Sequence, residues 1–127
     1  MPRVPDDLDL SPAGYLRYAQ DLLDDGLAFN AHEVLEAAWK SAPDDERSLW
    51  QGLAQLAVGI THIQRGNIRG ATTVLQRAAE RIGAVGQGPH GIDAAGLVRC
   101  AHALIGDLEA GAEIAPTRLR PQLLRPR

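Results

Sequence analysis

Residues 49–71 read LWQGLAQLAVGITHIQRGNIRGA, and this stretch decides the fold. Trp50, Leu53, Ala57 and Ile60 recur at the three- and four-residue spacings of a helical face, and Gly66 supplies a stop. Asn67 then serves as the cap of a following helix, so two helices meet at one tight corner. Small residues at Gly52, Ala54, Ala57, Gly59, Gly70 and Ala71 let them approach closely. The unit is a helical hairpin, and the rest of the chain is read outward from it.

Beyond the corner, Ala71, Val74, Leu75, Ala78 and Ile82 carry the fourth helix into a loop around Gly86, Gln87, Gly88 and Pro89. A fifth helix is expected from about Ile92 to Leu108. Toward the N-terminus, Asp44, Asp45 and Glu46 place negative charge on the first turn of the third helix. The second helix is expected to begin at Asn30, paired with Glu33 in a capping-box arrangement, and to stop before Pro43. Ser11 and Pro12 open the first, which ends near Asp25 and Gly26. Strand signals are nearly absent, with aromatic residues at 4%.

The expectation is an all-α antiparallel bundle of about five helices built from helical hairpins. Residues 1–10 form an N-terminal arm, 11–111 a single domain, and 112–127 a flexible tail containing proline and arginine. Leu119, Leu123 and Leu124 of that tail suit a groove on the body or on a partner. At 127 residues one hydrophobic core is large enough to fold without disulfides, and the single cysteine, Cys100, fits a reducing cytosol.

Charge narrows the partners. Overall the net charge is -3, but Arg118, Arg120, Arg125 and Arg127 stand in a tail with no acid from Pro116 onward. Residues 1–115 therefore hold nine basic against sixteen acidic residues, which makes the body a poor binder of polyanions. Nucleic acid is not an expected partner except through the arginine tail. The longest charge-free run, 48–64, contains Ser48, Gln51, Gln55, Thr61, His62 and Gln64, too short and too polar to span a bilayer. The first ten residues carry three acids and no long apolar run, unlike a signal peptide. A cytoplasmic protein is expected.

The most informative residues are polar ones on otherwise apolar faces. His32 and Glu36 are four apart on the second helix, with Trp39 on the same side. At about 100° per residue from Gln51, Gln55 falls near 40° and His62 near 20°, so these three share a stripe of the third helix. Adjacent antiparallel helices would bring His32, Glu36, Gln51, Gln55 and His62 together.

Two readings of that cluster follow. In one it is a buried hydrogen-bond network within a non-enzymatic binding or interaction module, whose partner is a protein or a small molecule. In the other, His32, Glu36 and His62 ligate a divalent metal, Gln51 and Gln55 orient water or substrate, and Glu33 is the candidate general base of a metal-dependent hydrolase. The chain has no Glu-x-x-His pair, and HEVLE lacks the second histidine of the zincin motif.

Elsewhere, His90 reads as a loop residue, His102 as a core or surface residue and Cys100 as an inert small core residue. Arg65, Arg69, Arg77 and Arg81 form a basic ridge, read as a solvated face. A symmetric dimer through helix five or the tail leucines is compatible with the pattern.

The strings FNAHEVLEAAWK, at 29–40, and LWQGLAQLAVGITHIQRGNIRGA together resemble a small prokaryotic family, the domain of unknown function numbered three hundred and nine. The resemblance runs from about Tyr15 to Ile82. Its motif positions fall on Phe29, His32, Glu33, Glu36, Trp39, Gln51, Gly52, Gln55, His62, Gly66, Asn67 and Ala71. It implies a small all-helical bundle with no established activity, and it places His32, Glu36, Gln55 and His62 within a shared pattern.

Overall fold

The computed structural model describes residues 4–5 and 8–126. Five α-helices follow one another: α1 (Pro12–Asp24), α2 (Ala28–Ser41), α3 (Arg47–Gln64), α4 (Ile68–Gly83) and α5 (Ala94–Glu109). Two short 3₁₀ turns, Pro89–Gly91 and Pro116–Leu119, lie in the α4–α5 connection and in the C-terminal segment. Each helix packs on its neighbour in sequence, α1 on α2, α2 on α3, α3 on α4 and α4 on α5. Among the described residues no helix is long and apolar enough to cross a membrane.

Local chemistry sets the helix ends. Ser11 accepts from the Gly14 amide and Asn67 from the Gly70 amide, each at 3.1 Å, as their cap positions require. Gly26 (φ 77°) and Gly66 (φ 76°) each turn the chain out of a helix in the left-handed region. The next amide reaches back in both cases, Leu27 to the Leu22 carbonyl and Asn67 to the His62 carbonyl, each at 2.8 Å. Those turns leave only three residues between α1 and α2, and three between α3 and α4.

Turns and caps also correct three expected starts. Helix α2 begins at Ala28, two residues before Asn30, with no side-chain cap. Once Gly26 has reversed the chain, Leu27 already offers its carbonyl to the Ala31 amide at 3.0 Å, so the Asn30 and Glu33 box is not needed. Asp44, Asp45 and Glu46 form a turn ahead of α3 and are not its first turn. Helix α5 starts at Ala94, because Asp93 accepts from the Gly96 amide at 3.1 Å.

The core runs along these pairs. Leu16, Leu22, Leu23, Leu35, Leu53, Leu56, Ile60, Leu75 and Ile82 are fully buried, and Trp50 meets Tyr15 edge-on with ring centroids 6.3 Å apart. The small residues of α3 allow close approach to α4: a Cβ on Gly59 would lie 2.6 Å from Leu75 Cδ2, and one on Gly52 2.9 Å from Arg81 Cβ. Gly52 opposite residues 81–82 and Gly59 opposite residue 75 define an antiparallel pair.

The tail corrects the expectation of a free, flexible segment. Leu119, Pro121 and Leu123 are buried against the body. An isolated antiparallel bridge joins Leu124 to Ile92. Leucine burial and paired backbone groups hold the segment where composition alone suggested solvent.

Candidate functional site

The cleft in question lies on the outer face of α2. Phe29, His32, Glu33, Glu36, Ala37 and Lys40 line it, with Val4 and Pro5 of the N-terminal arm closing one side, around a volume of about 370 Å³. Helical spacing explains the layout, since Phe29, His32 or Glu33, Glu36 or Ala37, and Lys40 come round once per turn.

Within it, His32 Nε2 lies 3.0 Å from Glu36 Oε2, and Lys40 Nζ lies 3.0 Å from Glu36 Oε1. Lys40's hydrogen bond pulls the Glu36 carboxyl below the usual carboxylate range. Burial opposes that pull, while the charges of Lys40 and His32 add to it. The Phe29 ring sits 5.6 Å from the His32 ring, and the Arg65 guanidinium lies over Phe29 at 5.2 Å. Phe29 is 45% exposed, so the mouth of the cleft carries an apolar edge.

Two buried polar atoms stand out, one on the cleft-lining His32 and one on α3. His32 Nδ1 and Gln55 Oε1 are buried with no hydrogen-bond partner among the described residues. In the neutral ring Nε2–H donates to the Glu36 carboxylate and Nδ1 is left as an acceptor, a tautomer assigned from the geometry of that pair; protonation, which brings the His32 charge, removes that acceptor.

The five expected members of the polar cluster do not close into one network. His32 and Glu36 pair with each other. Gln51 and Gln55 are half-buried on α3. His62 instead works at the corner, its Nδ1 lying 3.2 Å from Asn67 Nδ2, beside the cap of α4. Among the described residues, no group of three or more His, Cys, Asp or Glu side chains is placed to hold a metal ion. Of the expected ligand set, His32 and Glu36 line the cleft and His62 bonds Asn67 beside the α4 cap.

A second polar cluster was not legible in the sequence. His90 adopts φ 56°, a left-handed conformation uncommon outside glycine, and its Nε2 reaches Glu46 Oε1 at 2.8 Å. Glu46 also accepts from Trp50 Nε1 at 3.1 Å, and the His90 ring lies 6.2 Å from that of Trp50. Burial pushes the Glu46 carboxyl upward, but the hydrogen bonds from His90 and Trp50 and the charge of His90 outweigh it and leave the group below its ordinary value. Forty-four residues separate His90 from Glu46, and no local spacing signals such a pair.

The remaining candidates behave as core or surface groups. Burial pushes the Cys100 thiol up, against the charge of Arg118, which suits an unreactive residue. His102 is exposed on α5. Of the basic ridge, Arg65 covers Phe29 and Arg81 donates to Ser48 Oγ at 3.2 Å. Arg118 pairs with Asp107, and Arg125 donates to the carbonyls of Gly88 and Ile92. Arg118 and Arg125 of the tail are therefore engaged on the body, and Arg127 lies outside the described residues.

A helical-hairpin bundle with a polar cleft on α2 is the class that this fold and site define. Within that class, residues 16–74 match the family model described as Domain of unknown function (DUF309), the family that the two motifs resemble. The chain is also similar to "Uncharacterized protein YpuF" of Bacillus subtilis (strain 168), with 35% identity over 65 residues. That match covers 50% of this chain and 37% of YpuF, so the chain spans little more than a third of that relative's length. No solved structure matches the chain. Helices α2 and α3, most of α1 and the α2 wall of the cleft fall inside the matched segment, whereas Val4 and Pro5, His90 and the tail fall outside it.

Proposed function

We propose that this protein is a non-enzymatic binding module whose α2 cleft receives a hydrogen-bond-donating group of a partner protein or small molecule. One observation carries the reading. The His32 imidazole is held on one side by Glu36, while its buried Nδ1 meets no partner among the described residues. An unsatisfied buried polar group costs about 1–3 kcal/mol and is uncommon in folded proteins, so a site that orients one is matched to something that binds there.

The lone pair on Nδ1 selects the ligand chemistry. Its complement is an amide, hydroxyl or guanidinium N–H or O–H. Carboxylates at Glu33 and Glu36 on the cleft wall favour a donor-rich or cationic group. Phe29 adds an apolar edge on which the body of such a group rests. A metal-dependent hydrolase has less support, since no third metal-ligating side chain joins His32 and Glu36 among the described residues.

The ring nitrogens of His32 provide the test by NMR. Titration with methylguanidinium or acetamide is expected to shift the Nδ1 resonance saturably, and acetate, which has no donor, is not. Equal response to all three, or to none, contradicts the reading.

A further inference from the structure

The C-terminal segment is seated on the body as an extended peptide is seated in a receptor. From Leu119 to Leu124 burial alternates: Leu119, Pro121 and Leu123 are buried, whereas Arg120, Gln122 and Leu124 are exposed. Period-two burial is the signature of a strand lying on a surface. The chain's backbone is then read group by group. Gln20 Nε2 donates to the Pro121 carbonyl at 3.0 Å, and Gln20 Oε1 accepts from the Leu123 amide at 2.8 Å, so a single α1 side chain satisfies two backbone groups two residues apart. The Asp93 amide donates to the Leu123 carbonyl, and the Arg125 amide to the Gly91 carbonyl, both at 2.8 Å. Arg125 Nη1 closes the end on the carbonyls of Gly88 and Ile92, at 3.0 and 2.8 Å.

Pairing through the main chain, combined with pockets for alternate side chains, is how strand-addition receptors bind peptides. None of these contacts involves residues 110–118, which join the segment to the C-terminal end of α5. Residues 110–115 are exposed apart from the half-buried Ile114, and Arg118 pairs with Asp107 of α5. The groove therefore recognises a segment of the form Leu-x-Pro-x-Leu-x-Arg, and every copy of the chain carries one at 119–125.

We propose that this groove, formed by Gln20 of α1 and residues 88–93, is a peptide-recognition site filled by the chain's own residues 119–125 and open by exchange to the same segment of a second copy. Tethering gives the internal segment a high effective concentration, so it acts as a competitor that holds isolated chains closed. The inference does not depend on the α2 cleft, and either can fail without the other.

The test uses full-length protein and a labelled synthetic peptide of residues 116–127. Leu123→Asp removes the internal occupant and leaves the groove intact. The peptide is expected to bind this variant at least about tenfold more tightly than the wild type, where the closed form reduces the competent fraction. Adding Gln20→Ala to Leu123→Asp is expected to lose most of that gain. Leu123→Ala serves as the milder variant, and circular dichroism reports whether each remains helical. In full chains, Gln20→Ala mixed with Leu123→Asp is expected to form a one-to-one complex in sedimentation, because one supplies a free tail and the other a free groove.

Failure of the peptide to bind folded Leu123→Asp and Leu123→Ala overturns the proposal. So does equal binding to the wild type, or equal binding when Gln20 is replaced. Loss of helical structure in both Leu123 variants also overturns it, since the segment would then be core and not an exchangeable occupant.

Discussion

Glu36 shows how one carboxylate organises the cleft at the scale of a residue. It bonds Lys40 with one oxygen and His32 with the other, and Lys40's contribution is the larger in drawing its pKa down. A carboxyl whose folded-state pKa is lowered adds stability at pH values above its unfolded pKa and loses it as pH falls through the lower, folded value. Glu36→Gln is therefore expected to flatten part of the acid limb of a stability-against-pH curve and leave the curve above neutrality nearly parallel to that of the wild type. An unchanged acid limb would show that Lys40 and His32 do not stabilise the charged form. His32, Glu36 and Lys40 were open to a sequence reading because all lie within two helical turns. Glu46 was not, since its partner His90 comes from the α4–α5 connection and depends on a backbone conformation that no pattern signals.

At the scale of the element, what was legible followed from how local the cause was. Ser11 and Asn67 bond amides three residues ahead, and both caps fall where they were expected. The start of α2 was misplaced because Gly26 and Leu27 complete a turn whose bonds run back into α1, leaving Asn30 no capping to do. The tail's period of two went unread because residues 119–124 are too few, and too interrupted by proline, to display it without their groove. Small residues on α3 fared better, and their role can be measured. Gly59→Ala gains up to about 1 kcal/mol of helix propensity, yet its Cβ would stand 2.6 Å from Leu75 Cδ2 and 2.7 Å from Leu75 Cγ. Overpacking of this kind costs typically about 1–3 kcal/mol, so net destabilisation in urea is expected, with α3 and α4 moved apart. A stabilised Gly59→Ala protein would mean that the α3–α4 contact is looser than its geometry indicates.

Across the whole molecule, the five helices place two separate surfaces at work: a polar cleft on α2, and a groove against α1 and the 88–93 loop that holds the tail. Each depends on the same antiparallel hairpins, and neither brings three metal-ligating side chains together among the described residues. The central claim is that His32 serves a ligand and is not a structural lock, and those roles have opposite energetic signatures. A buried network member is expected to lower stability by one to several kcal/mol when removed, whereas an atom without a partner costs about 1–3 kcal/mol by its presence. The His32–Glu36 pair is partly exposed, and pairs of that kind contribute about 0–1 kcal/mol. Equilibrium urea denaturation of His32→Leu beside the wild type decides between them. Unchanged or increased stability is the result expected here, and a loss of several kcal/mol would contradict the account.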